Sequence, residues 1–309
     1  MSKAGRPEGI SGLVVVDKEA GWTSHDVVAR CRRLFGQRRI GHAGTLDPDA
    51  TGVLLVGLGR FTRGMRFLTD LEKHYTCEIV LGASTSTQDD SGEVIERFAM
   101  EAVTPAQVTA AAATLTGEIL QVPPMVSAVK VGGRRLHELA REGIEVERAA
   151  RPITVYAFEV AATDDPLIYL ASVTCSSGTY VRTLAHDLGT ALGGGAHLRC
   201  LRRTAIGSFG VAEAETLEVI EARVEATPQL QAGVAPILTP AEALRDLGRI
   251  VVDAEVAAYI KNGRPLDRVA LGASGPGPWP LVDEAGELLA VYEATSTDRI
   301  VPTVVFVAG

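Results

Sequence analysis

Gly41-His42-Ala43-Gly44-Thr45-Leu46-Asp47-Pro48-Asp49-Ala50-Thr51-Gly52 holds three glycines, two threonines, two aspartates and a proline between apolar segments. That mixture specifies a tight backbone. Glycine reaches positive φ without steric cost, and Thr and Asp side chains bond the neighbouring main chain. A purely structural loop has the same composition, so composition alone leaves structural and catalytic readings both open.

The flanks of this loop read as regular structure. Residues 53–58 form an apolar strand after it. Upstream, Leu13-Val14-Val15-Val16 predicts a buried strand ending at Asp17-Lys18, with a turn through Gly21. Thr23 or Ser24 then caps a helix that carries Val27, Val28, Cys31, Leu34 and Phe35 on one face, with Gly36 as terminator. Residues 73–81 alternate as in a strand, placing Tyr75, Cys77 and Ile79 on one side. Thr104-Pro105 opens a helix that stops near Gly117. Residues 121–150 are irregular and basic, with a short helix at 136–141. Strands at 152–161 and 167–175, a helix at 180–191, a strand at 198–205 and a helix at 216–226 follow. Residues 228–233 read as a linker. Beyond it stand a small helix at 240–246, a strand at 250–252, a helix at 254–261 and strands near 280, 288 and 300.

Helices and strands thus mix without a strict βαβ rhythm, which predicts an α+β fold. The length of 309 residues predicts about two domains. They are placed at 1–230, with an insertion at about 121–150, and at 234–309, a β-rich appendage.

Composition narrows the function classes. The 46% hydrophobic and 22% charged content is that of a soluble globular chain. No apolar run approaches a membrane span, and the opening MSKAGRPEGISG has no apolar leader segment. Cys31, Cys77, Cys175 and Cys200 are scattered without a C-x-x-C pair. They are read as small buried hydrophobes in a reducing cytoplasm, not as zinc ligands or disulfides. His25, His74, His137, His186 and His197 have no metal-binding spacing, so no metal is expected. The net charge of -8 argues weakly against nucleic acid. Three basic groups oppose that total: Arg30, Arg32, Arg33, Arg38 and Arg39; Lys130, Arg134, Arg135 and Arg141; and Arg199, Arg202 and Arg203. On one face they would track phosphates, and on separate faces they are only solvated surface.

The order of residues adds what composition cannot. G-H-A-G-T-L-D-P-D-A-T-G-V-L, residues 41–54, resembles the signature loop of the TruB family of pseudouridine synthases, G-H-x-G-x-L-D-P-x-A-x-G-x-L. Residues 12–24 resemble the family's opening strand and turn, with Lys18-Glu19 where Lys-Pro is usual. Lys73-His74-Tyr75 resembles K-x-Y. Residues 85–92 resemble T-D-T-x-D-x-x-G with Ser86 for the aspartate. Residues 121–143 resemble an RNA-gripping insertion, residues 175–182 resemble C-S-x-G-T-Y-I-R, and residues 196–203 resemble the last catalytic-domain motif. The resemblance spans residues 12 to about 225. The C-terminal part looks like a divergent PUA-type domain.

This resemblance implies a pseudouridine synthase fold, with a mixed, mainly antiparallel central sheet flanked by helices. It implies isomerisation of the T-loop uridine at tRNA position 55, together with help in tRNA folding. Asp47 is implied as the nucleophile, with Tyr75 and Arg182 as catalytic partners. His42, Tyr180, Leu201, Lys18, Lys130, Arg134 and Arg141 are implied as substrate-binding residues. The partner is tRNA through its T-arm, without guide RNA or membrane, and the protein acts as a monomer without a cofactor.

The residue types suit that chemistry. The glycosidic bond breaks, the base turns, and C5 joins the same sugar carbon, so no redox cofactor is needed. The target must first be flipped out. Asp47 must be ionised to attack ribose or base, and Arg182 is expected to hold it charged through an ion pair. Tyr75 can stack on uracil or accept the C5 proton, although a phenol near pKa 10 is a poor resting base. Leu46, Val53 and Leu201 would exclude water. Three other readings stay open: a non-catalytic tRNA-binding protein, a guide-RNA-dependent relative, and an enzyme acting on small metabolites.

Overall fold

A computed structural model describes residues 9–127, 129–227 and 229–307. The expectation of no leader rests in part on residues 1–8, which lie outside the described residues, as do Pro228 of the linker and the side chain of His137. The chain divides into two compact units. The first comprises residues up to Pro48, Gly52–Thr69 and Gly207 onward; the second comprises Asp49–Thr51 and Asp70–Ile206.

The amino-terminal part of the first unit is built on β1 (Gly12–Lys18), α1 (Ser24–Leu34), β2 (Ile40–Ala43) and β3 (Thr51–Leu58), followed by the short α2 (Met65–Thr69). β3 pairs antiparallel with both β1 and β2. The start of α1 is fixed by a reciprocal cap. Thr23 Oγ1 accepts from the Asp26 amide, and the Asp26 carboxylate accepts from the Thr23 amide. Val27, Val28 and Cys31 then face a core of Val14, Val16, Leu54, Val56 and Leu58. At the other end Gly36 takes φ +61°, a conformation favoured by glycine at a helix terminus. The expected 41–52 loop is shorter than its sequence suggests, because residues 41–43 extend β2. They can do so because β3 offers them partners: Gly41 lies opposite Gly57 and His42 opposite Val56.

The second unit holds β4 (Lys73–Leu81), a hairpin of β5 (Ala83–Thr85) and β6 (Val94–Arg97), α3 (Pro105–Thr114), β7 (Gly117–Gln121), a hairpin of β8 (Lys130–Val131) and β9 (Arg134–Arg135), α4 (Leu136–Arg141), β10 (Arg151–Ala162), β11 (Ile168–Cys175), α5 (Val181–Ala191) and β12 (Ala196–Ile206). Its sheet runs β12-β4-β11-β10-β7, each pair antiparallel. The alternation read in 73–81 is observed, with Lys73, Tyr75, Cys77, Ile79 and Leu81 all buried. α3 packs on β10 and α5 on β12.

The first unit resumes with β13 (Phe209–Gly210) and α6 (Leu217–Ala226). It ends in β14 (Ile250–Val251), α7 (Ala254–Lys261), β15 (Leu266–Asp267), β16 (Trp279–Val282), β17 (Leu288–Ala294) and β18 (Arg299–Val305). The last five strands order as β14-β16-β17-β18-β15, with β14–β16 parallel. They enclose a core of Trp279, Leu281, Ala290, Tyr292 and Ile300 closed by Ile260 of α7, which makes the C-terminal part a β-rich half-barrel. It is tied to the residues following β3. Arg60 donates to the Phe306 carbonyl at 2.9 Å, Arg63 donates to the Val305 carbonyl, and Arg66 pairs with Glu293 at 2.8 Å.

Candidate active site

Asp47 sits half-buried between β2 and β3, on a loop fastened from below. Antiparallel pairing of β1 with β3 brings Lys18 opposite Gly52, at the point where that loop ends. Lys18 is only 1% exposed, and its ammonium donates to the carbonyls of Glu19 (2.9 Å), Trp22 (2.7 Å) and Pro48 (2.9 Å). The Gly21 amide also donates to the Pro48 carbonyl, at 3.0 Å. On the other side of Asp47, the buried Ser24 hydroxyl accepts from the Leu46 amide at 2.9 Å and donates to the Leu46 carbonyl at 3.2 Å. Residues 46 and 48 are therefore pinned through their main chains. The Asp47 side chain is left as the element that pinning presents. The resemblance puts Lys18 among substrate contacts; the structure turns it inward, where one ammonium serves three carbonyls. The usual Lys-Pro is replaced by Lys18-Glu19, yet the turn closes because the Glu19 carbonyl itself accepts from Lys18.

Lys18→Met is expected to lower stability by about 2 kcal/mol, since three part-buried carbonyls lose a charged donor. It should also loosen the loop. Equilibrium denaturation checks the first effect, and a midpoint within experimental error of wild type would contradict it.

His42 lies on β2, half-buried, with its ring edge-on to His25 at a centroid distance of 5.5 Å. The first unit thus carries Asp47, His42 and Lys18.

The second unit carries the remaining predicted residues. Tyr75 is 9% exposed in the middle of β4. Tyr180 is the N-cap of α5, and Gln121 at the end of β7 clamps it: the Tyr180 amide donates to Oε1 at 2.8 Å, and Nε2 donates to the Tyr180 carbonyl at 3.1 Å. Arg182, one step into α5, is 4% exposed. It donates to the carbonyls of Thr87 and Val126, both at 2.9 Å, and lies 3.4 Å from the Asp89 carboxylate. Its position is set by the 85–92 loop and the root of the basic insertion. That loop is held in turn by Asp89, which accepts from the Thr87 and Ser91 hydroxyls, and by Thr183 donating to Gln88. Ser86, in place of the usual aspartate, accepts from the Glu93 amide at 3.1 Å and closes the β5–β6 hairpin. Leu201 is half-buried on β12. Lys130, Arg134 and Arg141 are exposed on the β8–β9 hairpin and α4, which rest on buried Leu136 and Leu139. Arg134 is paired with Glu142.

The family models for the N-terminal domain of TruB family pseudouridylate synthases and for the C-terminal domain of tRNA pseudouridylate synthase B match residues 32–181 and 182–245. A tRNA pseudouridine synthase B of Mycobacteroides abscessus is 45% identical over 285 residues, 91% of each chain. The chain belongs to the TruB family. A second TruB relative, the tRNA pseudouridine synthase B of Thermobifida fusca, is 52% identical over 231 residues, 72% of this chain and 79% of its own. Among solved structures, a Cbf5-Nop10-Gar1 complex matches with a TM-score of 0.72 at 27% identity, covering 93% of this chain and 79% of that one. The structure of an H/ACA RNP bound to a substrate RNA containing 2'-deoxyuridine shares the fold, with a TM-score of 0.70 at 22% identity over 98% and 90% of the two chains.

As a TruB-family member the chain is a pseudouridine synthase, and its architecture is the expected α+β fold. The cysteine reading needs one correction. Cys31, Cys77 and Cys175 are buried, and burial pushes their thiols up to about 12, 12 and 11. Cys200 is exposed instead, because a register shift between Arg199 and Arg202 places it at φ +55°, breaking the alternation that would have turned it inward. The sequence offers Ser24 only as an alternative helix cap, whereas Thr23 is the cap and Ser24 fixes Leu46; it gives Gln121, which fixes Tyr180, no role of its own. Both are small or neutral polar residues whose importance comes from long-range partners. Among the described residues no His/Cys/Asp/Glu group could hold a metal, and no helix is long and apolar enough to cross a membrane.

Proposed function

We propose that this enzyme converts the T-loop uridine at position 55 of tRNA into pseudouridine, with Asp47 as nucleophile. The observation that carries the reading is the fastening of Leu46 and Pro48 on either side of Asp47 by Ser24, Lys18 and Gly21. A nucleophile needs such fixed presentation, because catalysis by positioning is lost when the reacting atom strays by about an ångström. The relatives named tRNA pseudouridine synthase B support tRNA as the substrate.

In this mechanism the uridine is flipped out and its base stacks on Tyr75, with His42 supporting the extruded nucleotide and Tyr180 meeting the base edge. Arg182 holds Asp47 ionised through an ion pair. Asp47 attacks ribose or base, the glycosidic bond opens, and the base turns. C5 then bonds to the sugar carbon, and Tyr75 accepts the C5 proton. Leu46, Val53 and Leu201 keep water out, so the opened intermediate is not hydrolysed. A catalytic domain at 1–230 performs this chemistry, and the PUA-like domain at 234–309 adds RNA surface. The protein works as a cytoplasmic monomer, without a cofactor.

Lys130, Arg134 and Arg141 grip the T-arm, which removes the need for a guide RNA. Neutralising Lys130 or Arg141 is expected to weaken RNA binding and to reduce the slope of log affinity against log salt by roughly 1. Arg134, already paired with Glu142, should matter less. Single-turnover rates at saturating protein should hold, and a collapse of those rates would contradict the assignment. The direct test of function is a T-arm minihelix incubated with purified protein alone. Pseudouridine at position 55 is expected, and conversion that needs an added guide RNA would refute the reading.

A further inference from the structure

A phenol is a poor resting base, so something must ease loss of its proton if Tyr75 is to accept another. The sheet register points to the group. Arg203 of β12 lies directly opposite Tyr75 of β4, and side chains facing across antiparallel strands stand about 5 Å apart at Cβ, on one face of the sheet. Arg203 is 1% exposed, the largest of the fully buried side chains. Lys73, two residues before Tyr75 and on the same face, is 5% exposed. Two cations buried on the same sheet face as Tyr75 are costly to maintain by burial alone.

We propose that Arg203, seconded by Lys73, is a positioning residue for proton transfer: its charge across the sheet from Tyr75 favours the phenolate that takes the C5 proton. This rests on Tyr75 being the base. In the step, the C5–H bond breaks, its electron pair restores the ring double bond, and the proton passes to the phenolate oxygen. The phenol later releases that proton to water.

The surroundings agree. On β4 the flanking titratable groups are Lys73 and Cys77. From β11, Val173 lies opposite Tyr75, and Cys175 lies opposite Lys73. β12 adds Arg203, and α5, packed on β12, carries Arg182, His186 and Asp187. Lys73 is brought down to about 8, by burial first and then by the Arg203 charge, so the two cations feel one another. The Lys73 contribution therefore fades as pH rises past about 8, while the guanidinium keeps its charge.

The test is the pH profile of single-turnover pseudouridine formation at saturating protein, together with the ¹³Cζ titration of Tyr75 in the free protein, assigned by Tyr75→Phe. Arg203→Met should displace the controlling ionisation upward by at least one pH unit, with about tenfold loss at pH 7 that is recovered at alkaline pH. Arg203→Lys should restore most of it. Lys73→Met, which keeps the arginine, should move it the same way by less, and it reads the effect even where Arg203→Met does not fold. RNA affinity should not change. An equal loss at every pH, with the Tyr75 titration unmoved in both variants, overturns the inference and leaves Arg203 a packing residue. A Tyr75→Phe variant at full rate sinks the base reading itself.

Discussion

Asp47→Asn is expected to lower single-turnover pseudouridine formation by at least about four orders of magnitude, close to 5 kcal/mol of barrier. RNA affinity and the unfolding midpoint should stay near those of the parent protein. The amide has almost the shape of the carboxylate and cannot attack carbon. The fastenings of the loop run through the main chains of Leu46 and Pro48, so the exchange leaves the loop pinned. Quench-flow with mass detection of the isomerised base measures the rate. Retention of activity within tenfold would remove Asp47 from the mechanism.

Arg182→Met is expected to harm both fold and rate. The guanidinium is buried and serves two carbonyls from separate segments as well as Asp89. Methionine fills much of the space but leaves those acceptors without their cation, a loss of about 3–5 kcal/mol for a buried pair broken on one side. The proposed effect on Asp47 has a definite sign. A carboxylate deprived of its counter-cation is protonated more readily, so activity should acquire an acid limb and recover as pH rises. Arg182→Lys keeps the charge but cannot reach three acceptors from one planar fork, so it should rescue the pH profile more than the stability. Denaturant titration and a pH–rate profile of both variants check this. An unchanged midpoint for Arg182→Met would contradict the structural part.

What could be read in the sequence divides along physical lines. α1 was legible because its apolar spacing, its Thr23 cap and Gly36 are all local signals. β4 was legible for the same reason, as period-two alternation with both sheet neighbours present. β7, the β5–β6 hairpin and the short turns after β3 were not, since each is short and takes its regularity from a partner strand or a packed neighbour. At the site, Asp47, Tyr75 and Arg182 stood out by their order along the chain. The inward turn of Lys18 did not, because its three acceptors are carbonyls, which no residue identity announces. Gln121 and Ser24 escaped for a related reason: their partners lie 59 and 22 residues away. Cys200 shows the opposite failure, where a general preference for buried cysteine was overruled by one register shift in β12.

The most direct measurement is a mass-resolved map of pseudouridine in an unmodified tRNA transcript after incubation with the purified protein, run beside Asp47→Asn. The account predicts one new pseudouridine, at position 55, formed by the parent protein and absent with the variant. A pseudouridine formed equally by both, or one found only elsewhere in the transcript, would contradict it.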